Sequence, residues 1–166
     1  MNRELIDFIK NHSRDIDNGD FATIYALIDT DYYGQWIYRN CGKFTEALLN
    51  AGIDPLENSK LLFNNYLARA SLDNFNIPDH IEKLGNACFF SATIPSIIIP
   101  PTIIELPSEC FADGEFESIE LPKTITYIAY DAFADTTVNE VRIYKNSYAD
   151  RWLQEYEELH LVYFEE

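Results

Sequence analysis

The chain has 166 residues, is 47% hydrophobic and 14% aromatic, and carries 28 acidic against 12 basic side chains for a formal net charge of −16. That apolar content supports a packed core and sets disorder aside as the default state. The charge argues against direct contact with nucleic acid or anionic lipid, both polyanions, and no run approaches the roughly 20 apolar residues of a membrane span. The opening MNRELIDFIKNHSRDID holds no apolar signal-peptide core, so the chain is expected in the cytoplasm with Cys41, Cys88 and Cys110 reduced.

The first region, 1–58, reads as helical. Leu5, Phe8, Ile9, His12 and Ile16 follow helical spacing. Asp20 is placed to cap a second helix with Phe21, Ile24, Tyr25 and Ile28 on one face. KFTEALLNAG predicts a third helix ending at Gly52, and Asp54 with Pro55 fits the N-cap and N1 of a short fourth.

A 22-residue repeat then governs 59–146. Its step leads from Leu72 to Ile94, Phe116 and Val138, from Phe75 to Ile97, Ile119 and Val141, and from Ile77 to Ile99, Leu121 and Ile143. Pro78, Pro100 and Pro122 form a proline column. Ile81, Ile103 and Ile125, then Leu84, Leu106 and Ile128, then Cys88, Cys110 and Ala132, then Phe89, Phe111 and Phe133 keep the same phase with no insertion. One turn alone cannot bury such a row, so the turns must stack into a solenoid that shares a core. FNI, III, IEL and VRI alternate with the period of a strand and predict a parallel sheet with one strand per turn, each stopped by the proline until Tyr144 replaces it. SKLLFNNYLARASL reads as a degenerate first turn, with Leu62 and Leu67 one repeat step before Leu84 and Phe89.

The last region, 147–166, predicts a terminal cap. Ser147 with Asp150 at the third position after it is a variant capping box, and Tyr148, Trp152, Tyr156 and Leu159 share a helical stripe that would cover the open end of the core. LVYF follows as a short strand. The fold class is therefore α+β: an N-terminal helical region, a short solenoid with 22-residue turns and a C-terminal capping helix.

The pattern carried by Ile97, Ile99, Pro100, Ile103, Leu106 and Phe111 resembles the Treponema pallidum-type (BspA-like) leucine-rich repeats. It recurs in Ile119, Leu121, Pro122, Ile125, Ile128, Ala132 and Phe133, and SYADRW is similar to the ending of such arrays. The resemblance covers about residues 60 to 155. It departs from the family in having one residue fewer per turn and Ala92, Gly114 and Thr136 where a cysteine is usual, so the turn after each phenylalanine must be tighter. The helical start followed by EALLNAGIDPLE resembles arrays in small bacteriophage-encoded proteins, which implies the cytoplasm of a bacterial host. The resemblance implies protein-binding surfaces rather than a reaction, and fold alone does not fix function.

No catalytic constellation stands beside that architecture. His12, His80 and His160 lack a second ligand at metal spacing, and no GxSxG, P-loop, HExxH or Rossmann glycine pattern is present. The sequence calls for no cofactor and no metal. Cys88 and Cys110 lie on neighbouring turns, as a buried small-residue column or as a pair near disulfide range.

Acidity is uneven. Residues 1–72 hold 7 basic and 10 acidic side chains, and residues 73–166 hold 5 and 18. Glu105, Glu109, Asp113, Glu115, Glu117 and Glu120 are its densest cluster: a solvated face, a Ca²⁺ site without recognisable ligand spacing, or a surface matched to a basic protein. Asn76, Ile98, Glu120 and Arg142, flanked by Asn74, Ser96, Ser118 and Glu140, form the outward strand row, which in solenoids is often the binding surface. Ile98 is its one apolar member, either a contact residue or covered by the N-terminal helices.

The expected partner-binding set is thus Ile98, Glu105, Glu109, Asp113, Glu115, Glu117, Glu120 and Arg142. The leading function is a non-catalytic interaction module. Its sharp form is a phage inhibitor whose acidic face occupies the basic groove of a host nucleic-acid enzyme, of the anti-CRISPR or anti-restriction type. The alternative is a structural or surface protein, such as a virion component.

Overall fold

The computed structural model describes residues 3–29 and 35–165, and the side chains of all of these except 29 and 35–39. Four helices come first: α1 (Arg3–Asn11), α2 (Ser13–Asp17), α3 (Phe21–Asp29) and α4 (Gln35–Asn50). The first expected stripe is split. The backbone leaves the helix at His12 (φ −111°, ψ 16°), whose ring packs on Phe8 at 4.5 Å. Leu5 is buried and nothing in α2 is, so the second half of that stripe adds only the partly buried Ile16. Asp20 Oδ1 accepts the Thr23 N–H at 3.3 Å at the head of α3.

The third helix starts well before Lys43, at Gln35. Gly42 reads in sequence as a helix breaker, yet it lies inside α4 because the helix crosses the chain there: a Cβ at Gly42 would collide with the carbonyl oxygen of Ala68. The helix ends in a Schellman motif. The Ile53 N–H bonds Leu48 O and the Gly52 N–H bonds Leu49 O, each at 3.0 Å, with Gly52 at φ +75°.

The short helix expected from Asp54 and Pro55 does not form. Asp54 and Pro55 lead into turns in which Asp54 Oδ1 accepts the Leu56 N–H at 2.9 Å and the Ser59 N–H bonds Leu56 O at 3.0 Å. Leu56 is drawn into the core and the chain is extended again by Leu61, with the stretch between held in turns.

The coils carry two rows of strands. The main parallel sheet runs β3 (Ser96–Ile98), β5 (Glu115–Glu120), β7 (Thr137–Ile143) and β8 (Leu161–Tyr163). Its register, Ile97↔Ile119↔Val141 and Ile98↔Glu120↔Arg142, reproduces the repeat step read from the sequence. Within β5, Phe116 and Ile119 are both buried, which strict alternation forbids. The strand slips phase at Glu117: the N–H groups of Glu117 and Ser118 both bond Pro95 O, in the manner of a bulge. The second row, on the return leg of each coil, pairs β1 (Leu61–Leu62) with β2 (Lys83–Leu84) and β4 (Glu105–Leu106) with β6 (Tyr127–Ile128), again in parallel.

One expected strand is missing. FNI, at positions 75–77, joins no ladder among the described residues, and that coil meets the next main-sheet strand row only through the bridge Ser71↔Thr93. The ring of Phe75, larger than the Ile97 and Ile119 of the same column, lodges against Tyr66 at 6.0 Å and Phe89 at 6.1 Å, and its backbone stays outside the ladder.

The core is continuous from the helices to the last coil. An aromatic spine runs through it. Tyr25 stacks on Phe63 at 4.5 Å, and Phe111 lies between Phe89 at 5.6 Å and Phe133 at 5.1 Å. Thr45 Oγ1 donates to Tyr66 O and accepts from the Tyr25 hydroxyl, each at 2.5 Å, tying α3 and α4 to the first coil. Burial raises the Tyr25 pKa well above its ordinary value.

At the other end, α5 (Tyr148–Leu153) is short. Its buried face is Ala149, Asp150 and Leu153, whereas Tyr148, Trp152, Tyr156 and Leu159 are only partly buried and the last two lie beyond the helix in turns. The chain must leave the helix by Gln154 to bring Leu161 beside Val141, which shortens the expected stripe. The Asp150 N–H donates to Ser147 Oγ at 3.1 Å. The returning bond of the box reaches further back, to the Asn146 N–H at 2.7 Å.

Asp150 is buried, which by itself favours the neutral acid. Hydrogen bonds from the Asn146 N–H, Gln154 and Tyr163, with Arg151 nearby, outweigh that and lower its pKa. A carboxyl whose pKa falls on folding stabilises the fold above its unfolded pKa, and that stability is lost as the pH drops through the folded pKa. In urea denaturation, wild type is expected to exceed Asp150→Asn at neutral pH, with the gap closing below about pH 4. A gap unchanged on acidification would show that the carboxylate's charge contributes nothing.

Candidate protein-binding surfaces

The outer face of the main sheet carries Ser96, Ile98, Ser118, Glu120, Glu140 and Arg142. Ser96 and Ser118 bond through their hydroxyls at 3.0 Å. Arg142 sits between two carboxylates, donating Nε to Glu140 at 2.6 Å and Nη1 to Glu120 at 3.2 Å. The hydrogen bond from Arg142 to Glu140, with Glu120 beside it, holds the guanidinium pKa above its usual range. Glu120 and Arg142 are thus engaged with each other across β5 and β7. Ile98 is 54% exposed, so the helices do not cover it. It borders a shallow hollow shared with Pro101, Lys123, Tyr144 and Phe164, in which Lys123 lies over the Tyr144 ring at 4.7 Å.

The other predicted acids lie elsewhere on the coil. Glu105 is on β4, in the return-leg row. Glu109 and Asp113 occupy corners with φ +54° and +55°. These corners recur: Asn65, Ala87 and Glu109 form one left-handed column, and Arg69, Ser91, Asp113 and Asp135 the other. Side chains there are limited to those that tolerate a backbone L-residues rarely adopt, so Glu109 and Asp113 are less free to vary than the repeat alone implies. In the second column the turn is tight, with the Ala92 N–H on Phe89 O and the Gly114 N–H on Phe111 O, each at 3.1 Å. Glu115 and Glu117 lie at the start of β5 and are exposed. The partner-binding set therefore spreads over the sheet face, the corners and the return leg instead of converging on one patch.

Sequence reasoning overlooked the return-leg face itself. There Leu61, Ile104, Tyr127 and Tyr130 stay exposed and line one groove with Glu82, Lys83, Glu105 and Asp131. The signal was present: the row Leu61, Lys83, Glu105, Tyr127 keeps the repeat step but is neither uniformly apolar nor uniformly polar. Asp131 is fixed at its edge, accepting from Ser108 Oγ at 2.7 Å and from the Glu109 N–H at 3.3 Å.

Chemistry is sparse. His80 Nε2 meets Leu56 O at 2.8 Å and His160 Nδ1 meets Asn139 O at 3.2 Å. Among the described residues no group of three or more His, Cys, Asp or Glu gathers as metal ligands do, and no helix is long and apolar enough to cross a membrane. Cys88 and Cys110 are buried free thiols with sulfurs 3.7 Å apart. Burial raises the Cys110 pKa well above that of an ordinary thiol, which disfavours the reactive thiolate.

The model of the BspA type leucine rich repeat region matches residues 31–149 in 6 copies. The match begins well before residue 60 and takes in α4. No curated protein and no solved structure matches the chain. Coils that keep one constant step through parallel ladders, under a family model spanning most of the sequence, have one reading: the chain belongs to the BspA-type leucine-rich repeat family.

Proposed function

We propose that the chain is a non-catalytic protein-binding module whose acidic solenoid surface receives a basic surface of another protein. The observation that carries this reading is the state of its carboxylates. Glu105, Glu109, Asp113, Glu115 and Glu117 take part in none of the ion pairs among the described residues, while Arg142 and Lys60 are spent on Glu120, Glu140 and Glu82. Like charges held on a rigid frame repel one another, and a cationic partner relieves that repulsion. In its sharpest form the partner surface is one that otherwise holds phosphates, in a nucleic-acid enzyme of bacterial defence such as a CRISPR effector or a restriction enzyme, and the chain acts as its inhibitor.

The test is retention of a host protein on immobilised chain, washed at low and at high salt. Glu115→Lys with Glu117→Lys is the variant of choice, since reversing Glu120 would also break its bond to Arg142. Retention is expected to fall steeply with salt and to drop about tenfold or more in the reversed variant. Retention indifferent to both would sink the reading.

A further inference from the structure

Seven large apolar side chains stay exposed among the described residues, and four of them, Leu61, Ile104, Tyr127 and Tyr130, line the return-leg groove. Single exposed apolar residues need no explanation, but a cluster on a rigid face marks an interaction site. From this clustering, and resting on the reading of the chain as a protein-binding module, we infer that the groove docks an extended segment of another protein that alternates apolar and basic side chains.

Charge and spacing choose this occupant. Lys83 is the only basic residue in the lining, Glu82 is already paired with Lys60, and Glu105 and Asp131 take part in no ion pair among the described residues, with Asp131 held in place by Ser108. A second copy would bring the same carboxylates face to face on a chain of net charge −16, so self-association is disfavoured. Leu61, Lys83, Glu105 and Tyr127 stand at one outward position on successive coils. Leu61 lies beside Lys83 on one strand pair and Glu105 beside Tyr127 on the other, each pair about 4.8 Å apart. An extended chain puts its residues i and i+4 on one side about 13 Å apart, with i+2 between them. The segment that fits lays alternate side chains along this row, apolar ones over Leu61 and over Tyr127 with Ile104, and between them a lysine or arginine long enough to pass Lys83 and reach Glu105 and Asp131.

The probe is a short synthetic peptide with tryptophan, arginine and tryptophan on alternate residues between serines. One control replaces the arginine with glutamate and another replaces both tryptophans with serine. Binding is read by fluorescence anisotropy at physiological salt. The wild-type chain is expected to bind the probe at least about tenfold more tightly than either control, and Ile104→Ser with Tyr127→Ser to weaken it about tenfold. Both positions are half exposed, so the fold does not depend on them. Equal binding of the probe and the serine control, or a groove variant that binds like wild type, would overturn the inference. So would a wild-type dimer that the groove variant turns into a monomer, since the occupant would then be a second copy. The acidic-surface reading fails on different residues, Glu115 and Glu117, and in a different assay, so the two failures are separable.

Discussion

Phe111→Ala is expected to destabilise the chain by about 3–5 kcal/mol, at the upper end for a single core substitution. Phe111 is fully buried and is the middle rung of the phenylalanine ladder, stacked within 5° of parallel on Phe89 and tilted 32° to Phe133. It also packs nearly perpendicular to Phe116 at 5.6 Å and 88°, so one ring joins three coils and the main sheet. The ladder's backbone is hydrogen-bonded across the coils, with the Phe89 N–H on Cys110 O at 3.0 Å and the Phe111 N–H on Ala132 O at 2.8 Å. Neighbouring coils held in this way cannot collapse into the vacated space, and an uncollapsed cavity is the costly kind. Urea denaturation checks this. Phe111→Leu, which keeps most of the volume, is expected to recover more than half of the loss. A cost below about 1.5 kcal/mol for Phe111→Ala would mean that the ladder repacks freely.

The second large effect runs against helix propensity. Alanine is favoured over glycine inside a helix by about 1 kcal/mol, so Gly42→Ala in an isolated α4 would be stabilising. In the folded chain the added Cβ meets the backbone of Ala68 and Ala70, which cannot rotate away. The helix must lift from the first coil, taking with it the buried contacts of Phe44 and the Tyr25–Thr45–Tyr66 bonds. A net loss of about 2–3 kcal/mol is expected. Hydrogen exchange should show it as loss of protection in α3 and α4 before the coils between β3 and β7. Uniform loss across the chain would show that the helices and the solenoid form one cooperative unit.

The sequence made the solenoid legible because its columns are set by stacking. Ile97, Ile119 and Val141 must share a face if each coil sits on the last, and the same step gives their pairing. What failed were places where a local signal met a tertiary demand. The helix read from Lys43 starts earlier, and Gly42, a poor helix former, sits inside it because only a glycine lets α4 cross the backbone of Ala68. Phe75 fits its column by hydrophobicity, yet its ring packs between Tyr66 and Phe89 while its backbone joins no ladder among the described residues. Asp54 and Pro55 are good helix starters, yet the chain after them stays in turns that bring Leu56 into the core. For the binding surface the limit was of another kind: the repeat frame tells which residues point outward, but a coil has more than one outward side. Glu105 and Ile98 are both outward and lie on different strand rows, and the groove between Leu61 and Tyr130 lies on the outward side of the row whose inward column is Leu84, Leu106 and Ile128, a side with no uniform residue type to mark it.

The unbroken register has a consequence for how such a chain can change length. The last strand pairs with β7 out of frame: Val141 lies opposite Leu161, where the repeat step would bring Tyr163. The sheet is thereby closed out of phase with the coils before it. A new coil cannot be stacked between those two strands without losing that junction. It can enter further in, by duplication of one whole repeat unit such as 92–113, because both cut ends then meet the neighbours they had before. A one-residue insertion within a strand would instead turn the side chains after it in that strand to the opposite face. Each duplication would lengthen the return-leg groove by about 4.8 Å, so lineages of this protein can lengthen or shorten their reach along a partner in fixed increments without redesigning either end.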